Sequence, residues 1–130
     1  MGVYDVETNI IKAIKDGKSL ELFNIIGDGK RHSSELDLTQ KGYYRRLSRL
    51  IATGLVKREG EKYALTALGI IVYRGQLTIQ KAASTYWNLK AIDAIESSGK
   101  IGEVEWAKLV KTFVDDQEIQ RVVLETNKGA

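Results

Sequence analysis

The stretch Thr39-Gln40-Lys41-Gly42-Tyr43-Tyr44-Arg45-Arg46-Leu47-Ser48-Arg49-Leu50-Ile51-Ala52-Thr53-Gly54 decides how the chain is read. Tyr43, Leu47, Leu50 and Ile51 recur at intervals of three and four, the spacing of one buried helical face. Thr39 has the hydroxyl of an N-cap, and Gly54 is a natural left-handed stop. The segment therefore predicts a helix running from Gln40 to Gly54. With that core face assigned, Gln40, Lys41, Tyr44, Arg45, Ser48 and Arg49 fall on or beside the opposite face, and Arg46 lies to one side.

Beyond Gly54 the character changes. Leu55–Glu59 and Lys62–Thr66 are short strand-like stretches, and Gly60-Glu61 between them suits a tight hairpin turn. Thr66 can cap a further helix, whose apolar stripe runs from Leu68 to Ile95 and stops at Ser97-Ser98-Gly99. Uninterrupted, that helix spans ~45 Å, and Gly75-Gln76 is the expected bend. Two short helices complete the tail. Val104, Trp106, Leu109, Val110, Phe113 and Val114 form the core side of the first. Asp115 or Asp116 caps the second, which buries Ile119, Val122, Val123 and Leu124. Toward the N-terminus, Val6, Ile10, Ala13 and Ile14 mark a helix over residues 4–16. Ser19 is the expected cap of another, carrying Leu20, Leu22, Phe23, Ile25 and Ile26 and stopped by Gly27-Asp28-Gly29. A short helix fits Ser33 to Asp37, with Ser33 as cap and Leu36 facing the core.

Helix, short helix, tight turn, longer helix, hairpin, helix is the order of a winged helix-turn-helix. The expected fold is mainly α with a small β-hairpin wing, followed by a long helix and a helical tail. Residues 1–75 are expected to form the DNA-binding domain and 76–130 a dimerisation or packing element. Leu47–Arg58 resembles the end of a recognition helix and first wing strand of winged-helix transcriptional regulators. Tyr63-Ala64-Leu65-Thr66-Ala67-Leu68-Gly69 resembles their second wing strand entering the next helix. Residues 19–97 as a whole are similar to small archaeal winged-helix regulators, with a looser likeness to the MarR and ArsR groups. The resemblance implies sequence-specific DNA binding, often as a dimer.

Charge distribution points the same way. Residues 30–62 hold nine lysines and arginines against four acids, whereas residues 1–29 hold three against five and residues 63–130 eight against eight. A local basic excess is the footprint of a polyanion partner. Arginine can hold guanine O6 and N7 with two bonds, and glutamine can do the same to adenine. Gln40, Tyr44, Arg45, Ser48 and Arg49 are therefore candidates facing the bases, with Lys41 and Arg46 as phosphate contacts. Lys57, Arg58 and Lys62 flank the wing as further phosphate candidates, while Glu59 and Glu61 at its tip argue against deep insertion. His32 precedes the short helix and is expected to have no role.

Other classes of function find little support. Cysteine is absent and His32 is the sole histidine, which removes thiolate metal sites and the metal-sensing residues of ArsR-type proteins. No P-loop or glycine-rich dinucleotide pattern occurs. A non-enzymatic protein without cofactor or metal is expected. No apolar run approaches the ~18 residues of a membrane span, the first residues lack a secretory pattern, and Val6 stands where myristoylation wants Ser or Thr, so a cytoplasmic location is expected. Ile79, Ala82, Ala83, Tyr86 and Leu89 lie at coiled-coil spacing and form a candidate homodimer seam. Two-fold symmetry then sets the recognition helices ~34 Å apart, one turn of DNA. The rival reading is a winged-helix protein–protein adaptor, with a protein partner at the C-terminal helices. An adaptor calls for apolar anchors on residues 40–49, where Tyr43-Tyr44 is the one suitable element.

Overall fold

A computed structural model describes residues 2–29, 36–99 and 101–128. Its elements are helices α1 (Val3–Ile14), α2 (Gly17–Asp28) and α3 (Gln40–Thr53), strands β1 (Val56–Glu59) and β2 (Lys62–Leu65), and helices α4 (Ala67–Ser84), α5 (Tyr86–Ser97), α6 (Glu103–Phe113) and α7 (Gln117–Lys128). The chain is mainly helical with one small antiparallel sheet. It divides into two compact units, Met1–Gly75 and Gln76–Ala130, with α4 beginning in the first and ending in the second.

In the first unit, Ala13, Leu22, Phe23, Ile25, Leu36, Leu47, Leu50, Leu55 and Val56 form the core. The α1–α2 junction differs from the sequence expectation. Asp16, not Ser19, caps α2: its carboxylate accepts from the Ser19 N–H at 2.9 Å and from Ser19 Oγ at 2.7 Å. Ser19 is itself buried, so its hydroxyl needs that partner. Residues 30–35, which include His32 and most of the expected short helix, lie outside the described residues; Leu36 and Asp37 at its end are not helical. Thr39 caps α3 as expected, accepting from the Gly42 N–H at 3.0 Å. Gly54 ends it with φ 87°, and the Gly54 and Leu55 N–H groups close the last turn on Ile51 and Leu50 carbonyls. Ile51 is 41% exposed rather than core, because at about 100° per residue it sits some 80° round the helix from Tyr43.

The hairpin pairs Val56 with Leu65, Lys57 with Ala64, Arg58 with Tyr63 and Glu59 with Lys62. Its base is stitched to α4. Thr66 donates its N–H to the Leu55 carbonyl (3.1 Å) and its hydroxyl to the Gly54 carbonyl, and it accepts from the Gly69 N–H at 3.0 Å. Gly69 is buried against this junction: a Cβ there would lie 2.0 Å from the Leu55 carbonyl oxygen.

In the second unit, Ile92, Trp106, Val110, Val114 and Ile119 form a separate core, joined by Ala82, Leu89, Leu109, Phe113, Val123 and Leu124. The expected long helix breaks at Thr85, not at Gly75. Ser84 Oγ and Thr85 Oγ1 both bond back to the Lys81 carbonyl, at 2.7 and 3.0 Å, so two adjacent hydroxyls compete with the backbone ladder. Asp116 caps α7 through the Ile119 N–H (3.1 Å) and pairs with Lys81 at 3.4 Å. Val104 and Val122, expected in the core, are exposed. No helix among the described residues is long and apolar enough to cross a membrane.

Candidate nucleic-acid interface

Helix α3 carries its charge on the side turned from its own core. Leu47 and Leu50 are buried and Tyr43 is half-buried, while Gln40, Lys41, Tyr44, Arg45, Ser48 and Arg49 are exposed. Lys41, Arg45 and Arg49 follow one another at four-residue intervals and so form a ridge along the helix. None of the three has an ion-pair partner among the described residues.

Arg46 behaves differently from its neighbours. Its side chain is 18% exposed, its Nη1 donates to the Gly42 carbonyl at 3.2 Å, and its Nε sits 3.5 Å from Asp16 Oδ1. The Nε lacks a hydrogen bond of good geometry, so the link to Asp16 is an ion pair. The expected phosphate contact is thus turned inward, tying α3 to the cap of α2. The sequence could not show this pairing, because the two residues lie thirty positions apart.

The Asp16 carboxyl is held below the usual carboxylate range, first by the Ser19 hydroxyl and N–H and then by the Arg46 guanidinium. A depressed folded-state value means that Asp16 adds stability above its unfolded value of about 3.9 and loses it as the pH falls through the folded value. Asp16→Ala is expected to cost about 1 kcal/mol at neutral pH, as loss of an N-cap does. The deficit should shrink progressively below about pH 4, which denaturant titrations at several pH values will measure.

In the hairpin, the two-residue alternation separates the three basic candidates. Lys57 and Lys62 share one face with Glu59. Arg58 lies on the other face with Tyr63, its Nε donating back to the Gly60 carbonyl at 3.1 Å. The hairpin therefore offers two lysines in one direction rather than three cations together.

Two grooves flank the α3 ridge. Near its C-terminal end, Asn9, Lys12 and Lys15 of the α1 segment face Arg49, Ala52 and Thr53 across a groove of about 450 Å³. Near its N-terminal end, Lys18 of α2 faces Lys41 and Arg45 across one of about 460 Å³. Lys18 Nζ donates to the Asp37 carbonyl at 2.7 Å there. Sequence reasoning passed over these lysines because residues 1–29 are net acidic. The available signal was the spacing of Lys12 and Lys15 beside the core residues Ala13 and Ile14 of α1.

The chain matches no protein-family model, no curated protein and no solved structure.

In the second unit the five seam candidates divide. Ala82 and Leu89 are half-buried against their own core. Ile79, Ala83 and Tyr86 stay exposed, Ile79 at 66% and Tyr86 at 50%. Trp87, 76% exposed, packs edge-on against Tyr86, and Lys90 Nζ lies 5.2 Å from the Tyr86 ring centroid.

Proposed function

We propose that the first unit is a winged helix-turn-helix that binds double-stranded DNA sequence-specifically, and that the protein is a cytoplasmic, non-enzymatic transcriptional regulator. In this reading α3 enters the major groove, which admits one helix, and the hairpin lies on the backbone with Lys57 and Lys62 toward phosphate. The observation that carries it is the ridge of Lys41, Arg45 and Arg49, flanked by Gln40, Tyr44 and Ser48 and without carboxylate partners among the described residues. A solvated structural helix gains nothing from an unpaired basic ridge, whereas a polyanion neutralises it and releases counterions.

Fluorescence anisotropy with a labelled duplex tests the reading. Binding should weaken by several orders of magnitude between about 50 and 200 mM salt, and selection from a random pool should return a preferred site. Absence of binding at low salt would favour the adaptor reading, in which Tyr43-Tyr44 is the one suitable element of α3 and a protein partner docks at the C-terminal helices.

The same reading includes a homodimer, its seam now reduced to Ile79, Ala83 and Tyr86 with Trp87 beside them. Sedimentation should give twice the 14.5 kDa chain mass, and Ile79→Asp/Trp87→Ala should return the monomer. A monomeric wild type at working concentration would end that part of the proposal.

A further inference from the structure

The α1–α2 junction and α3 present two facing rows of cations. Lys12, Lys15 and Lys18 form one, and Lys41, Arg45 and Arg49 the other, with the two grooves between them. The placement follows from the fold. Helix α1 packs against both α2 and α3 and sends Ala13, Ile10 and Ile14 into the shared core, which leaves Lys12 and Lys15 exposed beside it. Among the described residues, the groove at Lys12 and Lys15 is lined by three cations, two further polar side chains and no carboxylate. Asp16, the acid nearest in sequence, is turned onto Ser19 and Arg46. At the other end Lys18, Lys41, Arg45 and Arg46 line the groove together with Asp37, so among the described residues each groove carries a net excess of three cations, and the α1 end does so without a carboxylate.

We propose that these rows form a channel in which one sugar–phosphate backbone of duplex DNA lies, with Lys12 and Lys15 as phosphate contacts beside the base-facing residues of α3. The proposal rests on the DNA-binding reading and extends it, because it assigns a second element, α1, to the interface. From Lys41 to Arg49 the ridge runs about 12 Å, at 1.5 Å per residue. One DNA strand carries a phosphate for every ~3.4 Å of helix axis, so the channel is long enough for more than one. Lysine suits this role: it supplies a point charge with rotatable donors, which fixes register without reading sequence. Facing rows of like charge repel one another in the free protein, and a phosphodiester strand between them converts that repulsion into attraction.

The test uses the full chain and a fluorescein-labelled duplex of mixed sequence about two helical turns long. Affinity is measured against salt for the wild type, for Lys12→Ala/Lys15→Ala, and for Lys108→Ala/Lys111→Ala. The last pair removes the same charge from exposed positions of α6 in the second unit. Loss of two phosphate contacts should lower the slope of log affinity against log salt by about 2, and affinity near 0.1 M salt on the order of tenfold per contact. The α6 pair should leave the slope within about 0.5 of the wild type. Duplexes with single neutral methylphosphonates give an arm that leaves the protein unaltered: wild type should lose affinity at a few backbone positions, and Lys12→Ala/Lys15→Ala should be indifferent at those same positions. If the Lys12/Lys15 variant keeps the wild-type slope while Arg45→Ala/Arg49→Ala abolishes binding, the channel is overturned and the α3 reading stands. If the wild type fails to bind duplex at the lowest salt, both fall.

Discussion

Arg45→Ala/Arg49→Ala is expected to lower affinity for a preferred duplex by about 2 to 6 kcal/mol, between tens-fold and tens-of-thousands-fold, if each guanidinium makes one bidentate base contact. The loss should be accompanied by relaxed sequence preference. Neither arginine is buried or ion-paired among the described residues, and alanine is the stronger helix former, so stability should hold or rise slightly. Two comparisons give the result its meaning. Lys57→Ala/Lys62→Ala, on the outer face of the hairpin, should weaken all duplexes alike and reduce the salt slope by about 2. Arg46→Ala should do the reverse, sparing most of the affinity while lowering stability by about 1 kcal/mol, because it strips Asp16 and the Gly42 carbonyl of a partner. A double variant that binds as tightly as wild type would remove α3 as the reader of sequence.

The largest expected effect on folding is at Gly69. A Cβ at this position would stand 2.0 Å from the Leu55 carbonyl oxygen and 3.3 Å from Leu65 Cβ. The first obstacle is backbone, so the clash cannot be relieved by a rotamer change. Helix α4 would have to move off the base of the hairpin, breaking the Thr66 contacts that join the end of α3 to the start of α4. Gly69→Ala should therefore destabilise the first unit by about 3 kcal/mol, the upper range of overpacking. Gly75, six residues on in the same helix, meets nothing within 4 Å. Gly75→Ala should instead stabilise by about 0.5 to 1 kcal/mol through helix propensity and the unfolded-state entropy of glycine. Denaturant unfolding followed by circular dichroism should show opposite signs for the same substitution, and equal effects would contradict the close approach at Leu55.

Much of the fold was legible in the chain. The cap at Thr39, the stop at Gly54, the hairpin, the core face of α2 and that of α3 apart from Ile51 all rest on local chemistry, in which hydroxyls, glycines and periodic apolar residues act within a turn or two of themselves. Misplaced features involved competition between neighbours. Asp16 took the cap expected of Ser19 because a carboxylate could accept from both the N–H and the hydroxyl of Ser19. Thr85 broke the long helix because two hydroxyls turned back on the Lys81 carbonyl, whereas Gly75 was tolerated in the helix interior.

For the candidate interface, the sequence by itself determined which cations α3 turns outward, since helical periodicity places Lys41, Arg45 and Arg49 opposite Leu47 and Leu50 without reference to any other element. Tertiary structure alone decided which of the remaining charges join them. Arg46 was withdrawn by a carboxylate thirty residues away, and Arg58 was set apart from Lys57 and Lys62 by strand register. Lys12, Lys15 and Lys18, which belong to a net-acidic segment, were brought alongside α3 by the packing of Ala13 and its neighbours. The reason is physical. Periodicity fixes the face a side chain points from, but the charges it meets across a groove depend on which helices bury their apolar sides against each other.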